Sequence, residues 1–301
     1  MKSFQGRTAV ITGAASGFGL EVSRLAAAKG MNIVMADVQQ DALDAAIAEI
    51  TGLGAPVLAR RLDVSKAADV AALAGATMER FGAPHFVFNN AGVGTGGLIW
   101  EMSLKDWEWV LGVNLMGVVY GVHAFTPLML AAAKQDPGYE GHIVNTASMA
   151  GLLNAPNMGV YNASKHAVVS LSETLYHDLH LVTDQVTASV LCPYFVPTGI
   201  SNSSRNQPAE LKAAQPTKSQ LVARAMSDKA VSSGKITAAM VAQLVFDALA
   251  ENRFYIYSHP QALGNVQSRM EDIIAARNPS DPFAKRPDVG EQLRKALRAD
   301  D

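Results

Sequence analysis

The segment that decides the fold runs from residue 8 to residue 19 and reads TAVITGAASGFG. Its first five residues are apolar or β-branched and predict a buried strand, and the alanine-rich residues 17–29 predict a helix. Glycine in the turn between them permits positive φ angles and close backbone approach. Such a turn points free amides and the positive end of the helix at a phosphate. The segment therefore predicts a dinucleotide site made by Gly13, Ser16, Gly17, Phe18 and Gly19, with a plain tight turn as the alternative.

Short apolar runs continue to alternate with helical stretches along the chain. Further strands are predicted at residues 32–36, 57–62, 86–88, 143–146, 186–191 and 254–257, and further helices at 40–50, 66–81, 161–182 and 238–250. Strands that alternate with helices and are apolar on both faces predict a parallel sheet covered on both sides. We therefore expect a single-domain, Rossmann-type α/β fold, a doubly wound parallel sheet in three α/β/α layers. We expect residues 1–260 to form this domain and residues 261–301 to form a C-terminal extension.

Composition and charge argue against several classes of protein. A formal net charge of −2 gives no electrostatic reason to expect nucleic acid as a partner. The first residues lack the apolar region and cleavage site of a secretory signal. The single cysteine, Cys192, lies in an apolar run and predicts a buried structural thiol, which fits a reducing compartment. We expect a soluble, cytoplasmic protein.

Residues 110–133 carry no formal charge and are long enough to span a bilayer. They contain Asn114, His123, Thr126 and Pro127 as well as three glycines, which disfavour a membrane span. We expect a helix that packs against the protein itself or against a second subunit, and no membrane partner.

The second predicted strand ends at Asp37. A carboxylate at this place can accept hydrogen bonds from an adenosine ribose and would repel the additional phosphate of NADP. Residues 14–16 contain no arginine or lysine, and Val38 follows Asp37. These residues favour NAD over NADP as the cofactor, and the alternative is that Asp37 caps the next turn.

Tyr161 and Lys165 stand four residues apart in a predicted helix and therefore share one face. A tyrosine with its ordinary pKa of about 10 is a poor base at neutral pH, but a neighbouring ammonium lowers that pKa. The phenol could then exchange a proton with an alcohol or a developing alkoxide. Ser148 could hydrogen-bond the same oxygen, and Asn114 could connect Lys165 to solvent through water. The simpler alternatives are chance spacing for the Tyr–Lys pair, an N-cap for Ser148 and a satisfied buried amide for Asn114.

Taken in order, these motifs resemble one known family, the short-chain dehydrogenases/reductases. The resemblance covers residues 5–257 and rests on the glycine turn with Thr12, the run Asn89-Asn90-Ala91-Gly92, Asn114, Ser148 and Tyr161-x-x-x-Lys165. It implies an oxidoreductase that moves a hydride between a nicotinamide cofactor and an alcohol or carbonyl carbon. It also implies that Tyr161 is the general acid/base, Lys165 binds the nicotinamide ribose and tunes Tyr161, Ser148 orients the substrate and Asn114 holds a relay water.

The resemblance further implies a cofactor cleft and a substrate pocket. Beyond the glycine turn and Asp37, the family's cofactor contacts correspond here to Asp63, Val64, Asn90, Ala91, Gly92, Tyr161, Lys165, Pro193, Val196 and Thr198. Its substrate contacts correspond to Thr95, Met149, Leu153, Met158, Tyr194 and Phe195. Tyr194 stands where the family usually has glycine, which leaves the local backbone path open and could place an aromatic ring at the substrate.

These mainly apolar positions predict an apolar or aromatic alcohol or ketone as the small-molecule substrate, and the alternative is that several of them pack the core. The adjacent loops hold no arginine or lysine, so an anionic acyl-carrier or phosphorylated substrate is not expected. The resemblance also implies a homotetramer, built partly on the helices after Asn114 and around Tyr161.

Two segments interrupt the regular pattern. Residues 194–235 predict a long mobile insertion with a short helix, which we interpret as a substrate lid, and a tolerated surface insertion is the alternative. From Arg277 onward the tail is rich in proline and charge, so we expect it to be peripheral or partly disordered.

His177 and His180 stand three residues apart, but no third ligand lies near them in the sequence, so no metal site is expected.

Other functions stay open at this point. A dehydratase or an epimerase on the same fold would use the cofactor transiently, but the chain lacks a large separate substrate domain. A regulatory protein could bind NAD without turnover, although the complete set of Asn114, Ser148, Tyr161 and Lys165 argues against it. A carbonyl reductase that uses NADP would differ in the cofactor alone.

Overall fold

The first strand, β1 (Thr8–Thr12), lies near the middle of the sheet in the computed structural model, which describes residues 1–212 and 215–299. The other strands are β2 (Asn32–Asp37), β3 (Val57–Arg61), β4 (Phe86–Asn89), β5 (Gly141–Thr146), β6 (Val186–Cys192) and β7 (Tyr255–Tyr257). Neighbouring strands are parallel, in the order β3-β2-β1-β4-β5-β6-β7. The strand order reverses between β1 and β4, so a cleft forms there at the carboxyl ends of the strands.

Helices cover both faces of the sheet. They are α1 (Gly17–Ala28), α2 (Gln40–Gly52), α3 (Ala67–Phe81), α4 (Leu104–Leu111), α5 (Gly117–Gln135), α6 (Gly159–Val182), α7 (Lys218–Ser232), α8 (Ala238–Glu251), α9 (Leu263–Ile274) and α10 (Pro287–Arg298). In β1, Ala9 and Ile11 enter the hydrophobic core shared with α1, α2 and α8, whereas Val10 enters the core shared with α3, α5 and α6. The predicted three-layer, doubly wound α/β fold is therefore confirmed.

The uncharged segment at residues 110–133 is helical, as predicted. Here α4 and α5 join through a π-helical turn at Gly112–Met116 into one continuous helix, Leu104–Gln135. Phe125 and Met129 are fully buried against the sheet. By length and composition the helix is apolar enough to cross a membrane, and 28% of its most apolar window is buried inside the chain. Much of its apolar surface therefore faces away from the core of its own chain.

The segment that we predicted as a mobile insertion with a short helix has more regular structure than that. It contains 3₁₀ turns at Gly199–Asn206 and Ala209–Leu211 and then the 15-residue helix α7. Residues 213 and 214 of this segment lie outside the described residues. Thr217 and Gln220 form a capping box at the start of α7, and this Thr-x-x-Gln pattern is a helix-start signal that the sequence interpretation overlooked.

The tail from Arg277 onward, which we expected to be peripheral or partly disordered, is mostly exposed, and its described residues include a helix. The chain after β7 forms α9 and α10, and α10 packs against α7. Leu293 of α10 is buried. Pro287 begins α10, Asp288 lies in its first turn, and Lys295 and Arg298 lie in its last turn, an arrangement that suits a helix and its dipole. The tail therefore lies at the periphery of the chain, and through α10 it contacts the segment that we predicted as a lid.

Candidate active site

The glycine turn after β1 has no room for side chains at two positions. Gly13 has a φ of +64°, and a Cβ placed there would lie 2.9 Å from the Cα of Ala91. A Cβ on Gly19 would lie 2.1 Å from the carbonyl oxygen of Gly13. α1 begins in this turn at Gly17 and has no acidic residue in its first turn. Since Gly17 also lines the cleft, the positive end of α1 faces a space that suits an anionic group.

Hydrogen bonds join this turn to the loop after β4. The Thr12 hydroxyl oxygen accepts from the backbone N–H groups of Asn90, at 2.9 Å, and Ala91, at 3.1 Å. The Asn90 side-chain amide donates to the carbonyl oxygen of Thr12 at 3.0 Å. Asn90, Ala91 and Gly92 line the cleft together with the glycine turn. The structure thus brings two of the predicted cofactor segments to one edge of the sheet.

Two carboxylates predicted from the sequence line the same cleft. Asp37, at the end of β2, accepts hydrogen bonds from the backbone N–H groups of Ala15 and Gln39, each at 3.0 Å. It therefore caps the next turn, as the alternative proposed, and still borders the cleft. Asp63 accepts from the backbone N–H and the hydroxyl of Ser65, at 3.0 and 2.7 Å, and lies beside Val64 on the cleft wall.

Tyr161, Lys165 and Ser148 meet at the opposite end of the cleft. Lys165 is buried, its Nζ donates to the carbonyl oxygen of Thr146 at 2.8 Å, and this Nζ lies 5.8 Å from the centre of the Tyr161 ring. The Ser148 hydroxyl donates to the carbonyl oxygen of Pro193 at 3.3 Å and accepts from the backbone N–H of Ala150 at 3.1 Å. Ser148 is therefore an N-cap, as the simpler alternative predicted, and it also borders the cleft.

Asn114 lies in the π-helical turn between α4 and α5 and is fully buried. Its side-chain oxygen accepts from the backbone N–H of Val93 at 2.8 Å, and its amide donates to the Val93 carbonyl oxygen at 2.9 Å and to the Ser164 hydroxyl at 3.2 Å. These bonds match the alternative of a satisfied buried amide. The role of Asn114 in holding a relay water stays a prediction.

The match to a model of the short chain dehydrogenase family extends over residues 7–209. The chain belongs to this family.

The chain is 53% identical to a short chain dehydrogenase/reductase from Burkholderia phymatum whose crystal structure is a complex with NAD. The TM-score is 0.91, and the match covers 94% of this chain and 100% of that chain. The CLA biosynthesis dehydrogenase/reductase of Lactiplantibacillus plantarum is 34% identical over 91% of this chain and 95% of its own length. The 1-deoxy-11-beta-hydroxypentalenate dehydrogenase of Streptomyces exfoliatus is 35% identical over 89% of both chains. The protein is therefore an oxidoreductase of the short-chain dehydrogenase family.

Burial changes the protonation of this dehydrogenase's candidate catalytic pair. Desolvation raises the pKa of Tyr161, and the hydrogen bond with Ser148 lowers it by a smaller amount. Desolvation lowers the pKa of Lys165 to about 8. We expected the neighbouring ammonium to lower the pKa of Tyr161, but in this cleft that pKa is raised, because the tyrosine is buried. At neutral pH the phenol is protonated and Lys165 is still mainly cationic, so the site is set up to donate a proton.

Cys192 lies directly behind this pair, at the end of β6. It is fully buried, and desolvation raises the pKa of its thiol to about 12. The predicted buried structural thiol is confirmed.

The predicted substrate contacts of the dehydrogenase separate into two groups. Tyr194 lines the cleft, and its ring packs at 4.3 Å from Phe195 and 5.8 Å from His259, measured between ring centres. Met149 was predicted wrongly: the 3₁₀ turn at Met149–Gly151 carries it into the hydrophobic cluster beneath α6, where it is fully buried. Four others do not belong to the cleft lining among the described residues: Thr95, Leu153, Met158 and Phe195.

The cleft has an apolar wall that the sequence motifs did not indicate. Trp109 and Val113 contribute to it from the helix Leu104–Gln135, and Ile200, Pro208 and Val231 contribute from the lid. These residues come from segments far apart in the chain, so no local pattern could have grouped them. The predicted cofactor contacts Pro193, Val196 and Thr198 do line the cleft.

The predicted lid, residues 194–235, is attached to the core through polar side chains. The Ser203 hydroxyl accepts from the backbone N–H of Gly94 at 3.0 Å, and the Ser219 hydroxyl accepts from the backbone N–H of Leu98 at 2.9 Å. Asp106 is buried and accepts from the side-chain amides of Gln220, at 3.1 Å, and Gln207, at 3.4 Å. A single carboxylate on α4 therefore holds the lid on both sides of residues 213–214.

Proposed function

We propose that this oxidoreductase interconverts a secondary alcohol and its ketone with NAD(H), and that Tyr161 is the general acid/base. The observation that carries the proposal is the presence of Tyr161, Lys165 and Ser148 in the same cleft as the glycine turn. The acid/base group Tyr161, the cation Lys165 and the Ser148 hydroxyl, which can hydrogen-bond a substrate oxygen, thus border the same space as the glycine turn that would hold the pyrophosphate.

The dinucleotide end of the cleft suits NAD. The first turn of α1 is free of acidic residues and borders the cleft, so its amides would hold the pyrophosphate. Asp37 would accept hydrogen bonds from the adenosine ribose and repel the additional phosphate of NADP. The NAD complex of the Burkholderia phymatum relative supports the same preference. When bound, the nicotinamide ring supplies or accepts the hydride that no side chain of this site can provide.

The side chains would manage the proton. Tyr161 retains its proton at neutral pH because burial raises its pKa, so it donates to a ketone oxygen that is becoming an alkoxide. The Ser148 hydroxyl orients that oxygen. The Lys165 ammonium, 5.8 Å from the centre of the Tyr161 ring, stabilises the phenolate that is left. In alcohol oxidation the proton moves in the opposite direction through the same groups.

The cleft walls favour an apolar or aromatic substrate. Trp109, Val113, Tyr194, Pro208 and Val231 give this end of the cleft a mainly apolar lining. The Streptomyces exfoliatus relative is named for a substrate with a hydroxyl group, which supports an alcohol as the group that is oxidised. An alcohol or ketone on a hydrophobic skeleton is therefore the substrate class that we propose.

We also propose a homotetramer in which the apolar outer face of the helix Leu104–Gln135 is covered by a second copy of the chain. Support comes from the low burial of this helix within its own chain. Light scattering at micromolar concentration should give the mass of four chains, and a clean monomer would contradict the proposal.

The function is tested by following NADH and NADPH consumption with the purified protein across aliphatic, cyclic and aromatic ketones. We expect turnover with NADH on apolar or aromatic members and weaker turnover with NADPH. Strong activity on a coenzyme A thioester with none on simple ketones would contradict the proposed pocket. Binding of both dinucleotides without turnover of any member would favour a regulatory protein instead.

A further inference from the structure

Arg205 belongs to the lid, yet its side chain reaches the cofactor end of the cleft. It lies in the 3₁₀ turn Gly199–Asn206 and lines the cleft together with Asp37 and Gln39. Its Nε donates to the side-chain oxygen of Gln39 at 3.1 Å. Two segments that are distant in sequence, the lid and the end of β2, therefore meet at this guanidinium.

The backbone of the lid holds the guanidinium in a defined place. Arg205 Nη1 donates to the carbonyl oxygens of Gly199, at 3.0 Å, and Asn202, at 2.6 Å. A Cβ on Gly199 would lie 3.1 Å from Arg205 Nη2, and a Cβ on Gly17 would lie 3.5 Å from the side chain of Thr198. Since Thr198 and Gly199 are adjacent, this part of the lid links the start of α1 to Arg205. The guanidinium thus sits between the start of α1 and the loop that follows β2.

The charge of Arg205 is not neutralised within the described part of the chain. Among residues 1–212 and 215–299, no carboxylate lies within ion-pair distance of it, and Nη2 has no hydrogen-bond acceptor. The nearby Asp37 carboxylate already accepts from two backbone amides. A guanidinium with unused donors that borders a cleft favours a phosphate, whose oxygens match its fork geometry.

We propose that Arg205 binds a phosphate of the dinucleotide from the lid side of the cleft. This inference rests on the proposed function, because it assumes that the cleft holds a nicotinamide dinucleotide. The phosphate is either part of the pyrophosphate or the additional phosphate of NADP, and the two give different binding patterns.

The test is a fluorescence titration of NADH and NADPH on the wild-type protein and on Arg205→Gln, Arg205→Lys and Arg224→Gln. Arg224 is the matched control, because it is an exposed arginine of the same lid that does not line the cleft. We expect Arg205→Gln to weaken NADH binding about tenfold, as for the loss of a charge-assisted hydrogen bond. Arg205→Lys should restore part of the affinity, and Arg224→Gln should bind like the wild type.

Competition with ADP and with adenosine separates a phosphate contact from a general change in the lid. Weaker binding of NADH and ADP, but not of adenosine, assigns the contact to the pyrophosphate. Weaker binding of NADPH alone assigns it to the additional phosphate of NADP. Equal binding of both dinucleotides by Arg205→Gln and Arg224→Gln would overturn the proposal, as would an equal loss for adenosine and ADP. If the wild type binds neither dinucleotide, the proposed function itself fails.

Discussion

The floor and the lid of the cleft are built in different ways. The floor consists of strand ends and the first turns of α1 and α6, where contacts are so close that a Cβ on Gly19 would lie 2.1 Å from a carbonyl oxygen. The lid is attached mainly through side-chain hydrogen bonds of Ser203, Ser219, Gln207 and Gln220. Each such bond contributes only ~1 kcal/mol, so we expect this segment to be less stable locally than the floor. The floor therefore fixes the proposed proton-transfer groups through close backbone packing, whereas the segment above them is held by side-chain contacts that single substitutions can remove.

The largest effect is expected from Tyr161→Phe in the floor. Removing the hydroxyl deletes the proposed proton donor and leaves the ring in place, so turnover should fall by about 10³-fold. NADH binding should stay within about twofold of the wild type, since the glycine turn is unchanged. Steady-state rates and a fluorescence titration on the same sample check both statements, and near-normal turnover would show that another group transfers the proton.

The next largest effect concerns the glycine turn. In Gly19→Ala the new Cβ must displace the Gly13 carbonyl or the Asn90 amide, which should cost about 1–3 kcal/mol of the free energy of unfolding and impair NADH binding. Gly75→Ala is the matched control, because Gly75 lies in α3 with open space around it, and it should be neutral or stabilise the protein by ~0.5–1 kcal/mol. Urea unfolding measures both variants. Equal stability of the two would show that the turn tolerates a side chain.

A smaller effect, dependent on pH, is expected from the buried Lys165. Burial lowers its pKa to about 8 from 10.5, so between these pH values the unfolded chain binds a proton that the folded chain does not. Under this linkage the free energy of unfolding gains a contribution that rises with pH across the window. Wild type should therefore gain stability relative to Lys165→Met between about pH 8 and pH 10. A difference in the free energy of unfolding that stays constant over this range would show that burial does not lower the pKa of Lys165 in the folded chain.

The smallest effect is expected in the lid. Gln220→Ala removes one donor to Asp106 and half of the α7 capping box, at a cost of ~1 kcal/mol. The KM for the ketone should rise a few-fold while kcat stays nearly unchanged, because the floor is intact. Gln243→Ala is the control, since it removes an exposed amide–carboxylate bond to Asp247 on α8. A large loss of kcat in Gln220→Ala would mean that the lid also positions the proton-transfer groups.

Most of the fold and of the floor could be predicted from the sequence, because both depend on local patterns. Apolar runs define the strands, and Gly13, Asp37 and Ser148 each lie at or just after the carboxyl end of a strand of one parallel sheet, so they reach the same edge. Met149 was placed wrongly because the direction of a side chain in a 3₁₀ turn depends on its packing. The direction of the Tyr161 pKa shift was also missed, because burial raises this pKa and the local sequence does not show how deeply the side chain is buried.

The lid could not be predicted to the same extent, because its contacts join distant segments. Arg205 reaches Gln39 and Gln220 reaches Asp106, and neither pair leaves a pattern in the local sequence. The helix α7 did carry a local signal in its capping box, and α10 carried one in Pro287. The high content of polar residues and proline concealed α10, and in the lid only a short helix was predicted where α7 has 15 residues.

The most direct test of the account uses NADH that carries deuterium on the nicotinamide ring at the transferable position. The label is followed by mass spectrometry of the product from any ketone that the protein consumes. We expect one deuterium on the carbinol carbon of the product alcohol, and none on its oxygen after exchange in water. Ketone consumption without deuterium in the product would contradict the assignment of this protein as a nicotinamide-dependent alcohol–ketone oxidoreductase.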